Sequence, residues 1–94
     1  MSERMSLNTA FLLMAQYGGA AVIPIDLVCR DYFRHLEPAV LTRKCAQGDI
    51  ALPLVRMEHS QKAARGVHLQ DLADYLDARR AAAIKERDQL VGRG

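Results

Sequence analysis

The chain has 94 residues, 50% of them apolar and 26% charged, with a net charge of +2, which suits one domain with one modest core and argues against a two-domain enzyme, a disordered chain or a fibrous one. Its longest apolar runs are interrupted by Gln16, Pro24 and Asp26, short of the roughly 20 residues that cross a bilayer, so no membrane partner is expected. The N-terminus lacks the strongly basic start of a signal peptide, and the chain shows no disulfide framework, so a cytoplasmic location is expected.

The charge is unevenly spread. Residues 1–37 carry three basic and four acidic side chains, residues 69–94 carry five and five, and residues 38–68 carry five and two, so the excess of three lies in the middle of the chain.

In chain order, "NTAFLLMAQY" (8–17) offers Asn8 and Thr9 as caps ahead of a dense apolar run, with Gly18 and Gly19 closing it, which predicts a short, well-buried helix. "AAVIPI" reads as extended, because Val22 and Ile23 are β-branched and Pro24 pushes its predecessor out of helical geometry. From Asp26 to His35 the period becomes helical: Ile25, Val28, Cys29, Tyr32, Phe33 and Leu36 share one side, and Arg30, Asp31 and Arg34 the other. Pro38 then opens a second helix that runs to about Gln47 and stops at Gly48.

On this second helix Leu41 and Cys45 mark the inward side, which sets Arg43 opposite them among Ala39, Thr42, Ala46 and Gln47. A solvated face would look much the same. Two short helices joined by a tight turn, the second presenting small and basic side chains, nevertheless match the helix-turn-helix used to enter a DNA major groove. "DIALPLVRME" and "RGVHL" (65–69) then predict a hairpin, a wing whose Arg56, His59, Lys62 and Arg65 are suited to phosphates or a minor groove. The last helix, about Gln70 to Leu90, repeats Leu69, Leu72, Ala73 and Leu76 on one side and thins beyond Arg80 to Ala83, Ile84, Leu90 and Val91, a stripe that could pair subunits.

No carboxylate pair or nucleophile motif is present, and Cys29, Cys45, His35, His59 and His68 lack the spacing of a zinc site, so neither an enzyme nor a metal or other cofactor is expected. The two cysteines read as buried free thiols. The expected fold is mainly α with a small β-hairpin: a winged helix-turn-helix over residues 7–80, with an extra N-terminal helix, and a C-terminal helix extension and tail over 81–94. The expected DNA-binding residues are Thr42, Arg43, Lys44, Gln47, Arg56, His59, Lys62 and Arg65.

The strings "NTAFLLMAQYGGAAVIPIDLVCRDYF", "GDIALPLVR", "SQKAARGVHLQDLADYLDARR" and "AAAIKE" closely resemble the pyocin activator protein family (PrtN-type) over about residues 7–86. More distantly, the element order is similar to excisionase and MerR-like winged domains. The resemblance implies a bacterial transcription activator that binds double-stranded promoter DNA upstream of bacteriocin genes and turns them on in the DNA-damage (SOS) response. By position it places the recognition helix at 38–47 and the wing at 56–65. The implied partners are promoter DNA and a second copy of the chain, in a homodimer or higher homo-oligomer, with RNA polymerase a further candidate. Two rival readings are an excisionase-like protein that bends phage or genomic-island DNA, and a protein-binding module whose basic charge is incidental.

Overall fold

The computed structural model describes residues 8–59 and 64–92. Seven elements follow in order: α1 (Thr9–Gln16), β1 (Val22–Pro24), α2 (Ile25–Tyr32), α3 (Pro38–Ala46), β2 (Val55–Arg56), β3 (Arg65–His68) and α4 (Leu69–Leu90). Over the described residues the protein is thus mainly helical, with four helices and a small antiparallel sheet in the order β1-β3-β2.

The sheet has one strand more than the expected hairpin. β1 pairs with β3 so that Val22 faces His68, Ile23 faces Val67 and Pro24 faces Gly66. Pro24 has no N–H to donate, and an edge strand is where a sheet tolerates that loss. Ile23 and Val67 meet at the centre with no exposed surface. Gly66 is required by this pairing: a Cβ there would fall 2.6 Å from Val22 Cγ1 and 2.8 Å from the Ile23 carbonyl oxygen. β2 is shorter than its sequence suggests, because the pairing with β3 takes in only Val55 and Arg56 and residues 51–54 lie outside it.

β1 runs into α2 without a loop, Pro24 serving as both the last strand residue and the N-cap. α2 ends at Tyr32, short of the expected His35. Phe33 leaves helical geometry (φ −135°), the Leu36 N–H turns back to the Phe33 carbonyl at 2.9 Å, and the Cys29 thiol donates to the Leu36 carbonyl at 3.1 Å. Glu37 must be extended (φ −79°, ψ 150°) because Pro38 follows it, and α3 starts there.

The core joins the four helices, β1 and β3 through Leu13, Ile23, Val28, Leu41, Val67 and Leu72, with Leu52 added from the segment before β2 and Phe33 tilted against Tyr75 at 5.9 Å between ring centroids. Cys29 and Cys45 are buried and free, as the apolar sides of their helices predict. The expectation of a well-buried first helix is wrong. Asn8 caps α1 by accepting from the Phe11 N–H at 3.0 Å, but only Leu13 is buried, while Phe11, Leu12 and Met14 are exposed. The run is apolar around its whole circumference, and one neighbouring helix, α4, can cover only one side of it.

α1 is pinned to α2 at Asp31. The Tyr17 hydroxyl donates to Asp31 Oδ2 at 2.6 Å, and Arg30 closes on both carboxylate oxygens at 2.7 and 3.0 Å. Hydrogen bonds from Arg30, and then from Tyr17, pull the Asp31 carboxyl down from 3.8 to about 2. Burial and the bond to Asp31 push the Tyr17 phenol well above its usual value. The other end of α1 is tied to α4 by Thr9 Oγ1 donating to Asp77 Oδ1 at 2.6 Å. α4 continues unbroken to Leu90, where Leu90 and Val91 stand exposed. Among the described residues, no helix is long and apolar enough to cross a membrane.

Candidate nucleic-acid interface

α3 turns Leu41 and Cys45 into the core, which leaves Ala39, Arg43, Ala46 and Gln47 exposed on the other side. The helix is stopped by Gly48, whose φ of +83° is a left-handed conformation that glycine adopts without steric penalty. This reversal lets the Asp49 N–H reach the Lys44 carbonyl at 2.9 Å and the Gly48 N–H reach the Cys45 carbonyl at 3.2 Å. Two terminal carbonyls are thereby satisfied and the chain is redirected. It drops Leu52 into the core and climbs through Pro53 and Leu54 into β2.

An open groove of about 780 Å³ results, bounded by α3 on one side and the β2–β3 ribbon on the other. Thr42 and Arg43 line it from α3, Arg56 from β2 and Arg65 from β3, over a floor of Cys45, Leu52, Pro53 and Leu54. Arg56 and Arg65 are register partners across the two strands, so their guanidinium groups leave the same face of the ribbon. None of the three arginines has a carboxylate partner among the described residues, and no carboxylate lines the groove. Like charges directly opposite one another in a sheet repel. The arrangement therefore favours an anion between them.

Four of the eight expected contact residues thus share one groove. Lys44 and Gln47 lie on the far flank of α3 and do not line it; Lys44 is half-buried and Gln47 exposed. His59 is exposed on the segment after β2, and Lys62 lies outside the described residues. The Thr42 hydroxyl donates to the Pro38 carbonyl at 2.9 Å, so its proton is committed within the helix while its oxygen can still accept. The Cys45 thiol is pushed up by burial and stays protonated at neutral pH. Sequence reasoning missed the apolar floor. Leu52, Pro53 and Leu54 read as strand, whereas they lie outside the strand pairing and line the groove between helix and ribbon.

A small, mainly helical protein thus presents a cationic groove between the side of one helix and a β-ribbon. Residues 9–83 match the family described as pyocin activator protein PrtN, and the chain belongs to that family. That family is one of regulators of pyocin genes. No curated protein and no solved structure matches the chain.

Proposed function

We propose that this protein is a sequence-specific activator of pyocin gene transcription that binds double-stranded promoter DNA through a winged helix-turn-helix. In this reading α2 and α3 form the helix pair, α3 enters the major groove, and the ribbon of β2 and β3 with its connecting segment forms the wing. The observation that carries the reading is the convergence of Arg43, Arg56 and Arg65, from three separate elements, on one groove without a counter-charge among the described residues. An internal structural role would have supplied those cations with carboxylates.

The division of labour follows from chemistry. Arg43 stands at the centre of the exposed α3 face, where a guanidinium can bond bidentately to guanine, and Gln47 on the flank can do the same for adenine, each good pair adding about 1–3 kcal/mol of discrimination. Ala39 and Ala46 keep the helix surface low enough for close approach. Lys44, Arg56, His59, Lys62 and Arg65 meet phosphates and provide salt-sensitive affinity without sequence preference. A homodimer reading two half-sites would multiply the limited specificity of one small module, with the exposed end of α4 as the element available for pairing. The protein acts at the nucleoid, in the cytoplasm, during the DNA-damage response.

DNase footprinting and gel titration on duplex DNA upstream of a pyocin gene test the proposal. Arg43→Ala is expected to lose affinity for the target site while keeping its affinity for random duplex. Equal losses on both DNAs remove Arg43 from base reading. Binding that is absent, or indifferent to salt, rejects the DNA interface altogether.

A further inference from the structure

The contacts proposed for the walls of the groove leave its floor without a role. Arg56 and Arg65 take phosphates and Arg43 a base, but Leu52, Pro53 and Leu54 lie between them beside Cys45 and present only carbon and sulfur side-chain atoms. This floor is held from below: Leu52 is 2% exposed and belongs to the core, while Leu54 is half-buried and Pro53 exposed. Thr42, the remaining polar side chain of the lining, stands on the α3 wall with its proton committed to the Pro38 carbonyl. A phosphate gains nothing from such a surface, because it has no apolar atoms to bury.

Resting on the DNA-binding reading above, we infer that the groove holds one sugar–phosphate strand of the duplex by both of its parts, and that its floor selects a strand without 2′-hydroxyls. The phosphates lie on Arg56 and Arg65, and the deoxyribose rings on Leu52, Pro53 and Leu54. With α3 in the major groove and the ribbon turned toward the neighbouring minor groove, what lies between them is the strand that separates the two. That strand alternates an anion with a sugar whose outer surface is largely C–H, and the groove likewise sets cations beside an apolar floor. The C2′ carbon of deoxyribose carries hydrogen alone and can lie against Pro53 or Leu54. A ribose in the same place presses its hydroxyl onto side chains that cannot bond it, so the hydroxyl gives up water without replacement. The Cys45 thiol, kept protonated by burial, is a weak partner for it.

Single ribonucleotides test this, placed one at a time along each strand of a duplex from upstream of a pyocin gene, with all other positions deoxy. One such substitution leaves the overall duplex shape DNA-like, so a loss reports the added hydroxyl and not a change to RNA geometry. Fluorescence anisotropy should show affinity reduced about tenfold at one or two adjacent positions of one strand within each bound site, and unchanged elsewhere. Pro53→Ser, at an exposed position, and Leu54→Ser, at a half-buried one, each give the floor a hydroxyl of its own, and a thermal melt of both checks that they remain folded. Both variants should bind the all-deoxy duplex less tightly than the unaltered protein, yet the ribonucleotide penalty should shrink to about twofold or less, because the added hydroxyl now has a partner. Equal affinity for every substituted duplex overturns the inference, as does a gain in affinity, which would assign the groove to an RNA strand. A penalty that persists in full in the folded variants also overturns it, by placing the discrimination elsewhere. Failure of the unaltered protein to bind even the all-deoxy duplex rejects the DNA-binding reading and this inference together, whereas tight binding indifferent to ribonucleotides rejects the inference alone.

Discussion

Replacing Arg56 and Arg65 together by glutamine should weaken DNA binding strongly while leaving the free protein as stable as before, or slightly more so. The two residues are direct partners across β2 and β3, and both line the groove beside Arg43 without a carboxylate near them among the described residues. In the free protein, relieving a like-charge cross-strand pair at a screened surface contributes a few tenths of a kcal/mol. On DNA, each phosphate neutralised steepens the logarithmic salt dependence of affinity by about 0.9, which at ~0.1 M salt is an eightfold effect, or about 1.2 kcal/mol per arginine. The double variant should then bind about 60-fold more weakly at that salt, with the slope shallower by about 1.8. Fluorescence anisotropy of a labelled duplex, titrated at several salt concentrations, gives the slope, and a urea melt of the same preparations gives the stability. An unchanged slope, or a loss of stability as large as the loss of binding, would show that the ribbon arginines hold the fold together and do not meet phosphate.

Other outcomes follow from the packing and the titrating groups. Gly66→Ala should destabilise the protein by about 1–3 kcal/mol in thermal or urea denaturation, because the new methyl meets the Ile23 backbone and the Val22 side chain at less than 3 Å. The α1–α2 joint should make acid stability depend on Asp31. Its carboxyl is held at about 2, below its ordinary 3.8, so its contribution is complete above pH 3.8 and is lost as pH falls from there toward 2. Tyr17→Phe removes one of the bonds that depress it, so the acid-unfolding midpoint should rise to higher pH; an unchanged midpoint would discount the joint. Cys29 should alkylate at the rate of unfolding and not of simple collision, since the thiol is buried, donates to the Leu36 carbonyl and is pushed up by burial; rapid native-state labelling by iodoacetamide would contradict this.

Much of the helical framework was legible because its signals are local. Asn8 caps the first helix, Pro38 opens the third, and Gly48 ends it at the residue that must be left-handed. The placement of Leu41 and Cys45 inward and Arg43 outward needed only the helical period. The same local rules failed for α1. Its composition matches that of a buried helix, and nothing within ten residues tells how many neighbours will cover it.

Sequence alone therefore determined the helices, the thiols in the core and the sign of the charge on the middle segment, since capping, periodicity and composition act over a few residues. Tertiary structure alone decided that β1 joins the sheet, that Arg56 lies opposite Arg65, that Lys44 and Gln47 miss the groove and that the outer side of α1 stays bare. Strand register and coverage depend on which distant segments meet. β2 ends at Arg56 and β3 begins only at Arg65, so chain proximity does not set their alignment, and Gly66 reveals its purpose only when Val22 and Ile23 arrive beside it.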